Sequence, residues 1–247
     1  MISRRRFIAA LAGGLAVLAS LTLLAQSKIF HKTPESEEYV KAKERLKLPE
    51  PAYDSKVSIE KAILLRRSKR DYRDEPITLS QLSQLLWAAQ GITEWRYGFR
   101  TAPSAGATYP LEVYVAVRED GVEDLPPGIY HYLPKTHELE LVKLGDFSRE
   151  LMRAAIDQEW VGSAPVNLVI NAVYERTTRV YGDRGIRYVH MEVGHVGQNV
   201  YLQCISLGLA CVVVGAFYDE EVKRIVGGVG EPLYIIPIGV PVEPWKL

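Results

Sequence analysis

Three short stretches carry residue types that could act on a ligand. Arg66-Arg67-Ser68-Lys69-Arg70 puts four cations and a hydroxyl into five residues. Guanidinium forks bind phosphate bidentately, and a hydroxyl adds a donor. The same run could equally be a solvated helix end, where cations complement the dipole. Ala102-Pro103-Ser104-Ala105-Gly106-Ala107-Thr108-Tyr109 is a run of small residues. There a flat ligand can lie against the backbone, with Ser104 and Gly106 offering N–H donors; a plain loop before a strand is the alternative. Val212-Val213-Val214-Gly215-Ala216-Phe217 ends an apolar run at a glycine. A peptide N–H there could meet a ring nitrogen or carbonyl, and a buried strand turning into a helix is the alternative.

Other chemistries find little support. Glu192-x-x-His195 has the spacing of a di-iron ligand pair, but such sites need a second copy, and the sequence has none. The two cysteines, Cys204 and Cys211, lie in apolar segments without a CxxC and read as buried apolar residues. Gly227-Gly228-Val229-Gly230 lacks the strand–glycine–helix frame of a dinucleotide fingerprint. There is no P-loop and no GxSxG. No metal site is expected.

The elements that must position these stretches follow from periodicity. A short helix over 59–65 leads into the basic run. A clearer helix spans 79–90, with Thr78 and Gln81 as a capping box and Gly91 as its C-terminal stop. Strands are expected over 111–117, 129–133, 139–142, 166–173, 211–214 and 234–240. Helices are expected near 147–158, over about 187–207, and from a capping Asp219 to about Val226. Strands and helices mix without a steady βαβ alternation, which argues for α+β.

The chain has 247 residues with 30 basic and 30 acidic side chains. That balance lacks the basic excess usual in nucleic-acid binders. The neutrality is uneven. Arg4, Arg5 and Arg6 precede an uncharged run over 7–25, and residues 1–27 hold no acidic group; the remainder carries 27 basic against 30 acidic residues, a net of −3. The 19-residue run would be about 28 Å long as a helix, enough to span a bilayer. Ala25-Gln26-Ser27 has the small–x–small form of a signal-peptidase site. Ser3-Arg4-Arg5-Arg6-Phe7-Ile8 resembles a twin-arginine signal. The expectation is a signal or anchor over 1–27, a charged linker over 28–56 and a folded domain over 57–247. The domain would then be exported across, or anchored to, the cytoplasmic membrane and lie on its outer side.

Taken in order, these segments resemble the nitroreductase superfamily of FMN-dependent oxidoreductases, in its SagB-type dehydrogenase branch. The resemblance rests on the basic run with Asp71-Tyr72, on Ala102–Gly106 with Tyr109–Tyr114, and on Gly128–Tyr132. It continues through Arg184, Arg187-Tyr188, Glu192, Gly194-His195, Gln198-Asn199, Gly208-Leu209, Val214–Phe217 and Ile238–Pro241. It implies a mostly antiparallel sheet flanked by helices and a homodimer with FMN at the subunit interface. By that analogy Arg66, Arg67, Ser68 and Arg70 hold the phosphate, ribityl and pyrimidine side of FMN. Pro103, Ser104, Ala105 and Gly106 line the ring system from the partner chain. Val214 and Gly215 approach the N5/O4 edge, and Gln158 contacts the ribityl or ring. Arg70 would stabilise the anionic reduced flavin, and Tyr181 would relay a proton. SagB-type enzymes carry a Lys-Tyr pair before the long helix; here Val180 stands before Tyr181, which puts azoline oxidation in doubt. The expected activity is ping-pong transfer between a reductant, NAD(P)H among the candidates, and a small organic acceptor or a modified peptide. A contrasting class is an exported or anchored flavin-binding protein that stores or senses FMN without turnover.

Overall fold

The computed structural model describes residues 44–246, and a seven-stranded sheet organises them. Its strands are β1 (Arg45–Lys47), β4 (Leu111–Val117), β5 (Gly128–Leu133), β6 (Glu138–Leu144), β7 (Val166–Ala172), β8 (Ala210–Cys211) and β9 (Glu231–Gly239). Their order is β1-β6-β5-β4-β7-β9-β8, with every pairing antiparallel. A separate ribbon pairs β2 (Ile92–Glu94) with β3 (Phe99–Arg100). The helices are α1 (Ile59–Leu65), α2 (Leu79–Gln90), α3 (Ser148–Ala154), α4 (Glu159–Ser163), α5 (Glu175–Tyr181), α6 (Arg184–Leu207) and α7 (Asp219–Val226). The α+β expectation holds.

Both faces of the sheet are covered, so the central strands are mostly apolar, with Glu112 of β4 and the buried Asn167 and Asn171 of β7 as the exceptions. Side chains alternate between faces along a strand. Thus Leu111, Val113, Val115 and Val117 of β4 join Leu168 and Ile170 of β7 in one core with α2 and α6. Tyr114, Ala116 and Val169 point the other way, into a second core with α3, α4 and α7.

Four local expectations need correction. The linker expected over 28–56 contributes β1, which pairs with β6, and Leu48, which is buried. Gly91 closes α2 with extended rather than left-handed backbone (φ −62°, ψ 153°). It is glycine because a Cβ would lie 2.2 Å from Trp87 Cδ1. The helix expected near 147–158 ends at Ala154, because Ile156 and Asp157 take left-handed backbone (φ 58° and 54°), and α4, which was not expected, follows the break. Asp219 is the first residue of α7, Tyr218 is its cap, and no side chain caps it.

The placement beyond the cytoplasmic membrane is also corrected. Among the described residues no helix is long and apolar enough to cross a membrane. The stretch expected to signal or anchor, residues 1–27, lies outside the described residues.

Candidate functional site

The basic run leaves α1 as extended chain and is held from below. Lys69 N donates to Cys211 O at 3.1 Å, Tyr72 bridges to Pro241, and Arg73 N donates to Val240 O at 2.8 Å. The run therefore lies along the ends of β8 and β9. Lys69 is consumed by this anchoring: its ammonium donates to Glu243 O and sits 4.4 Å from the Trp245 ring centroid. Arg67 turns back on its own chain, Nη1 donating to Leu64 O at 3.0 Å and Arg66 O at 2.7 Å.

The remaining members converge. Ser68 Oγ is 2.8 Å from Tyr201 Oη, which also accepts from Val213 N at 3.0 Å. The Arg66 guanidinium lies 5.1 Å from the Tyr201 ring centroid, within the range of a cation–π contact. One tyrosine of α6 thus ties the basic run to the segment before Val214 and Gly215. Val214 exchanges backbone hydrogen bonds with Ile235 (2.8 and 3.0 Å), while Gly215 is exposed. Gln158 Nε2 donates to Ala155 O and Ala216 O at 2.8 and 2.9 Å. Arg70 lies 5.2 Å from the ring centroid of Trp160, two residues beyond Gln158. So Arg66, Ser68, Arg70, Gln158, Val214 and Gly215 belong to one neighbourhood. The break between α3 and α4 is what presents Gln158 to it.

The small-residue loop forms a second neighbourhood. Ser104 Oγ accepts from Tyr109 N at 2.9 Å, and Thr108 Oγ1 meets Ala105 O and Thr177 Oγ1 at 3.0 and 2.8 Å. Gly106, Ala107 and Tyr109 all have positive φ (58°, 52° and 44°), costly for the two non-glycine residues. At Gly106 a Cβ would lie 2.6 Å from Tyr181 Oη. Tyr181 is therefore packed on this loop, 37% exposed, with its ring 5.1 Å from that of Tyr188. Pro103 and Gly106 are exposed.

Beneath the loop lies a buried polar cluster. Arg100 Nη1 donates to Gln90 Oε1 at 2.9 Å, and Arg100 N donates to Tyr109 Oη at 3.1 Å. Glu192 is 2% exposed. Burial pushes its carboxyl up to about 7, against opposing pulls from Ser104, Gln90 and Arg100.

Within one chain the two neighbourhoods stay apart. Among the described residues, no hydrogen bond or ring contact joins them. Both rest on α6, at Tyr201 and at Glu192. Nine residues are two and a half helical turns. The two supports thus lie on opposite faces, about 14 Å apart along the axis.

Sequence reasoning missed Tyr201 and Trp160, and took Glu192 as a matching position and as half of a metal-ligand spacing that it set aside. An aromatic residue in a long helix reads as core, and nothing local marks its hydroxyl as a link.

A seven-stranded antiparallel sheet, with a cationic run at the ends of β8 and β9 and a strained loop against the long helix, defines a class of protein: the chain belongs to the nitroreductase family. That family's profile matches residues 63–240. The family resemblance read from the sequence is borne out, and the chain is an oxidoreductase of this family. Among relatives, a Methanocaldococcus jannaschii protein bearing the name nitroreductase is 52% identical over 188 residues, covering 76% of this chain and 93% of that protein. A crystal structure of a Ralstonia eutropha protein named as a nitroreductase superposes with a TM-score of 0.70 at 32% identity, covering 81% of this chain and 90% of that one. A chain of the Escherichia coli microcin synthetase McbBCD complex, solved with truncated pro-MccB17 bound, superposes with a TM-score of 0.61 at 26% identity, covering 84% and 82%.

Proposed function

We propose that this chain is an FMN-dependent oxidoreductase working as a homodimer. It would pass electrons by a ping-pong route from a reductant such as NAD(P)H to a small organic acceptor or a modified peptide. The observation that carries the reading is the neighbourhood of Arg66, Ser68 and Arg70 beside Gly215. Among the described residues neither arginine pairs with a carboxylate. Each rests on an aromatic ring instead, so both charges are free for an anion. Gly215 has open space above it: a Cβ there would meet nothing closer than Tyr234 Cε1 at 3.9 Å. Trp160 Nε1 is buried without a partner. These residues fit a phosphate-bearing planar cofactor.

FMN, when bound, supplies the hydride chemistry. Arg66 and Ser68 bind its phosphate and ribityl side, with Arg67 at the exposed rim. Arg70 places positive charge where the reduced ring gathers negative charge. Val214 and Gly215 bring backbone to the ring edge, and Gln158 orients it. Pro103, Ser104, Ala105 and Gly106 line the ring from the other subunit, and Tyr181 holds a proton beside them. The opposite-face arrangement on α6 supports this sharing, because one chain cannot close both neighbourhoods on one ligand. Domain limits of 57–247 for the catalytic unit, extended at its start by β1, go with this reading.

The test is purification of the full chain, an absorbance spectrum, and titration with FMN. Failure to bind FMN would refute the reading. FMN binding without turnover by NAD(P)H, or by dithionite followed by an acceptor, would replace it with a non-catalytic flavin binder.

A further inference from the structure

β4 and β7 run antiparallel, with Leu111 opposite Ala172. The chain entering β4 and the chain leaving β7 therefore meet at one end of the sheet. The first is the Ser104–Tyr109 loop and the second is α5. Val173 N donates to Pro110 O at 2.8 Å and closes the junction.

Beyond that junction α5 meets the loop at three places. Arg176 Nη1 donates to Tyr109 O at 3.1 Å, and Thr177 Oγ1 lies 2.8 Å from Thr108 Oγ1. Tyr181 Oη stands where a Cβ on Gly106 would be only 2.6 Å away. Among the described residues, Arg176 carries the one side chain from outside the loop that hydrogen-bonds the loop backbone. The carbonyl it takes belongs to Tyr109, a non-glycine residue at φ 44°. Such backbone persists only where its surroundings hold it.

Arg176 is itself braced. Its Nη2 donates to Glu112 Oε1, and Glu112 Oε2 accepts from His131 Nε2 at 2.7 Å. Glu112 and Tyr114 share one face of β4, two residues apart. His131 of β5 stands opposite Tyr114, and the two rings stack at 4.7 Å and 22°. Tyr114 Oη in turn accepts from Val229 N at 2.8 Å. The Glu112 side chain is 13% exposed, so water competes little for its oxygens. Burial alone would raise its carboxyl, but the hydrogen bonds and charges of His131 and Arg176 hold it below its ordinary value. Hydrogen bonds to such a carboxylate are stronger than neutral ones.

We propose that Arg176, braced by Glu112 and through it by His131, is a positioning residue that fixes the Ser104–Tyr109 loop, and Tyr181 with it, in one arrangement. That this arrangement faces a flavin ring rests on the function proposed above; the hold on the loop does not. A wall set beforehand spares a ligand the cost of ordering it, and a misplacement of about 1 Å at a reacting centre can cost roughly a hundredfold in rate.

The experiment is hydrogen exchange of the full chain without flavin. It is followed at the amides of Ala107, Thr108 and Tyr109, whose hydrogen bonds stay within the loop. Arg176→Ala should speed their exchange by roughly tenfold or more, the equivalent of one hydrogen bond to a charged group. The amides of β4 and β7 should exchange as in wild type. Unchanged loop exchange, or equal acceleration through loop and sheet, would overturn the proposal. Glu112→Ala should loosen the loop in the wild-type background and add nothing to Arg176→Ala; additive effects would overturn the brace. If the alanine variants fail to fold, Arg176→Gln, whose shorter amide cannot span both partners, carries the same expectation and the same refutation. Visible circular dichroism of added FMN separates the two readings. Arg176→Ala should still bind FMN, since the run from Arg66 to Arg70 is untouched, but with an altered ring signal. A loosened loop with an unaltered ring signal would overturn the placing of the loop against the flavin and leave the hold on the loop standing.

Discussion

The two neighbourhoods on α6 are built on opposite principles. Around Tyr201 the backbone is well served: Val213, Val214, Lys69 and Arg73 all donate to partners within the fold. What lacks a carboxylate partner there, among the described residues, is the charge on Arg66 and Arg70, and one buried donor, Trp160 Nε1, is unpaired. Around Glu192 the deficit is inward. Buried Glu192 Oε1 and Gln90 Nε2 have no partner, and the loop above carries three positive-φ residues. Free exposed charge costs a folded protein little, whereas an underserved buried carboxyl and a strained loop cost stability. On the function proposed above, the first neighbourhood is a socket for an anion. The second is a strained loop over an underserved buried carboxyl.

The largest expected effect falls on the socket. Arg66→Ala with Arg70→Ala removes both unpaired cations, each making hydrogen bonds worth about 1.5–3 kcal/mol to a charged group. FMN affinity should drop by roughly a hundredfold or more, with the unfolding midpoint of the flavin-free chain unchanged. Retained FMN affinity would dissolve the contrast. Mixed dimers sharpen it: co-expressed Arg70→Ala and Gly106→Val subunits should recover one working site per heterodimer. No recovery would show that the two neighbourhoods serve separate sites. Next in size is Tyr201→Phe, which keeps the ring under Arg66 but leaves the Val213 N–H without its acceptor. The cost should be about 1–3 kcal/mol, read as a lower unfolding midpoint together with weaker FMN binding.

The socket was largely legible in the sequence and the loop's strain was not, for physical reasons. Arg66, Ser68 and Arg70 stand together in the chain, so composition alone exposes them. Val214-Gly215 is legible as a strand end. The strand pattern was legible too, because period-two alternation and apolar runs survive as local signals. The break at Ile156 and Asp157 was not, since a branched isoleucine is among the residues least expected in left-handed backbone, and a single aspartate, though its type is enriched there, does not mark a break. Nor was the load on Glu192. It depends on Gln90, Arg100 and Ser104 meeting across three separate segments, and no spacing encodes that. Gly91 shows a subtler failure: a glycine at a helix end was read as a conformational need, when the need is room for Trp87.

Two glycines isolate the contrast at the smallest scale. Gly106→Ala meets positive φ and a Cβ 2.6 Å from Tyr181 Oη. It should destabilise the flavin-free chain by about 1–2 kcal/mol and displace Tyr181. Gly215→Ala meets neither obstacle: its backbone is not left-handed, and the nearest contact is at 3.9 Å. Thermal unfolding without flavin should therefore match wild type to within about 0.5 kcal/mol. The methyl group would instead occupy the space over the exposed backbone where a flat ring is to lie. The whole effect of Gly215→Ala should then appear as a several-fold loss of FMN affinity, measured by quenching of flavin fluorescence. If Gly215→Ala lowered stability without changing FMN binding, that glycine would be a packing residue, and the socket would have to close on the ring from another direction.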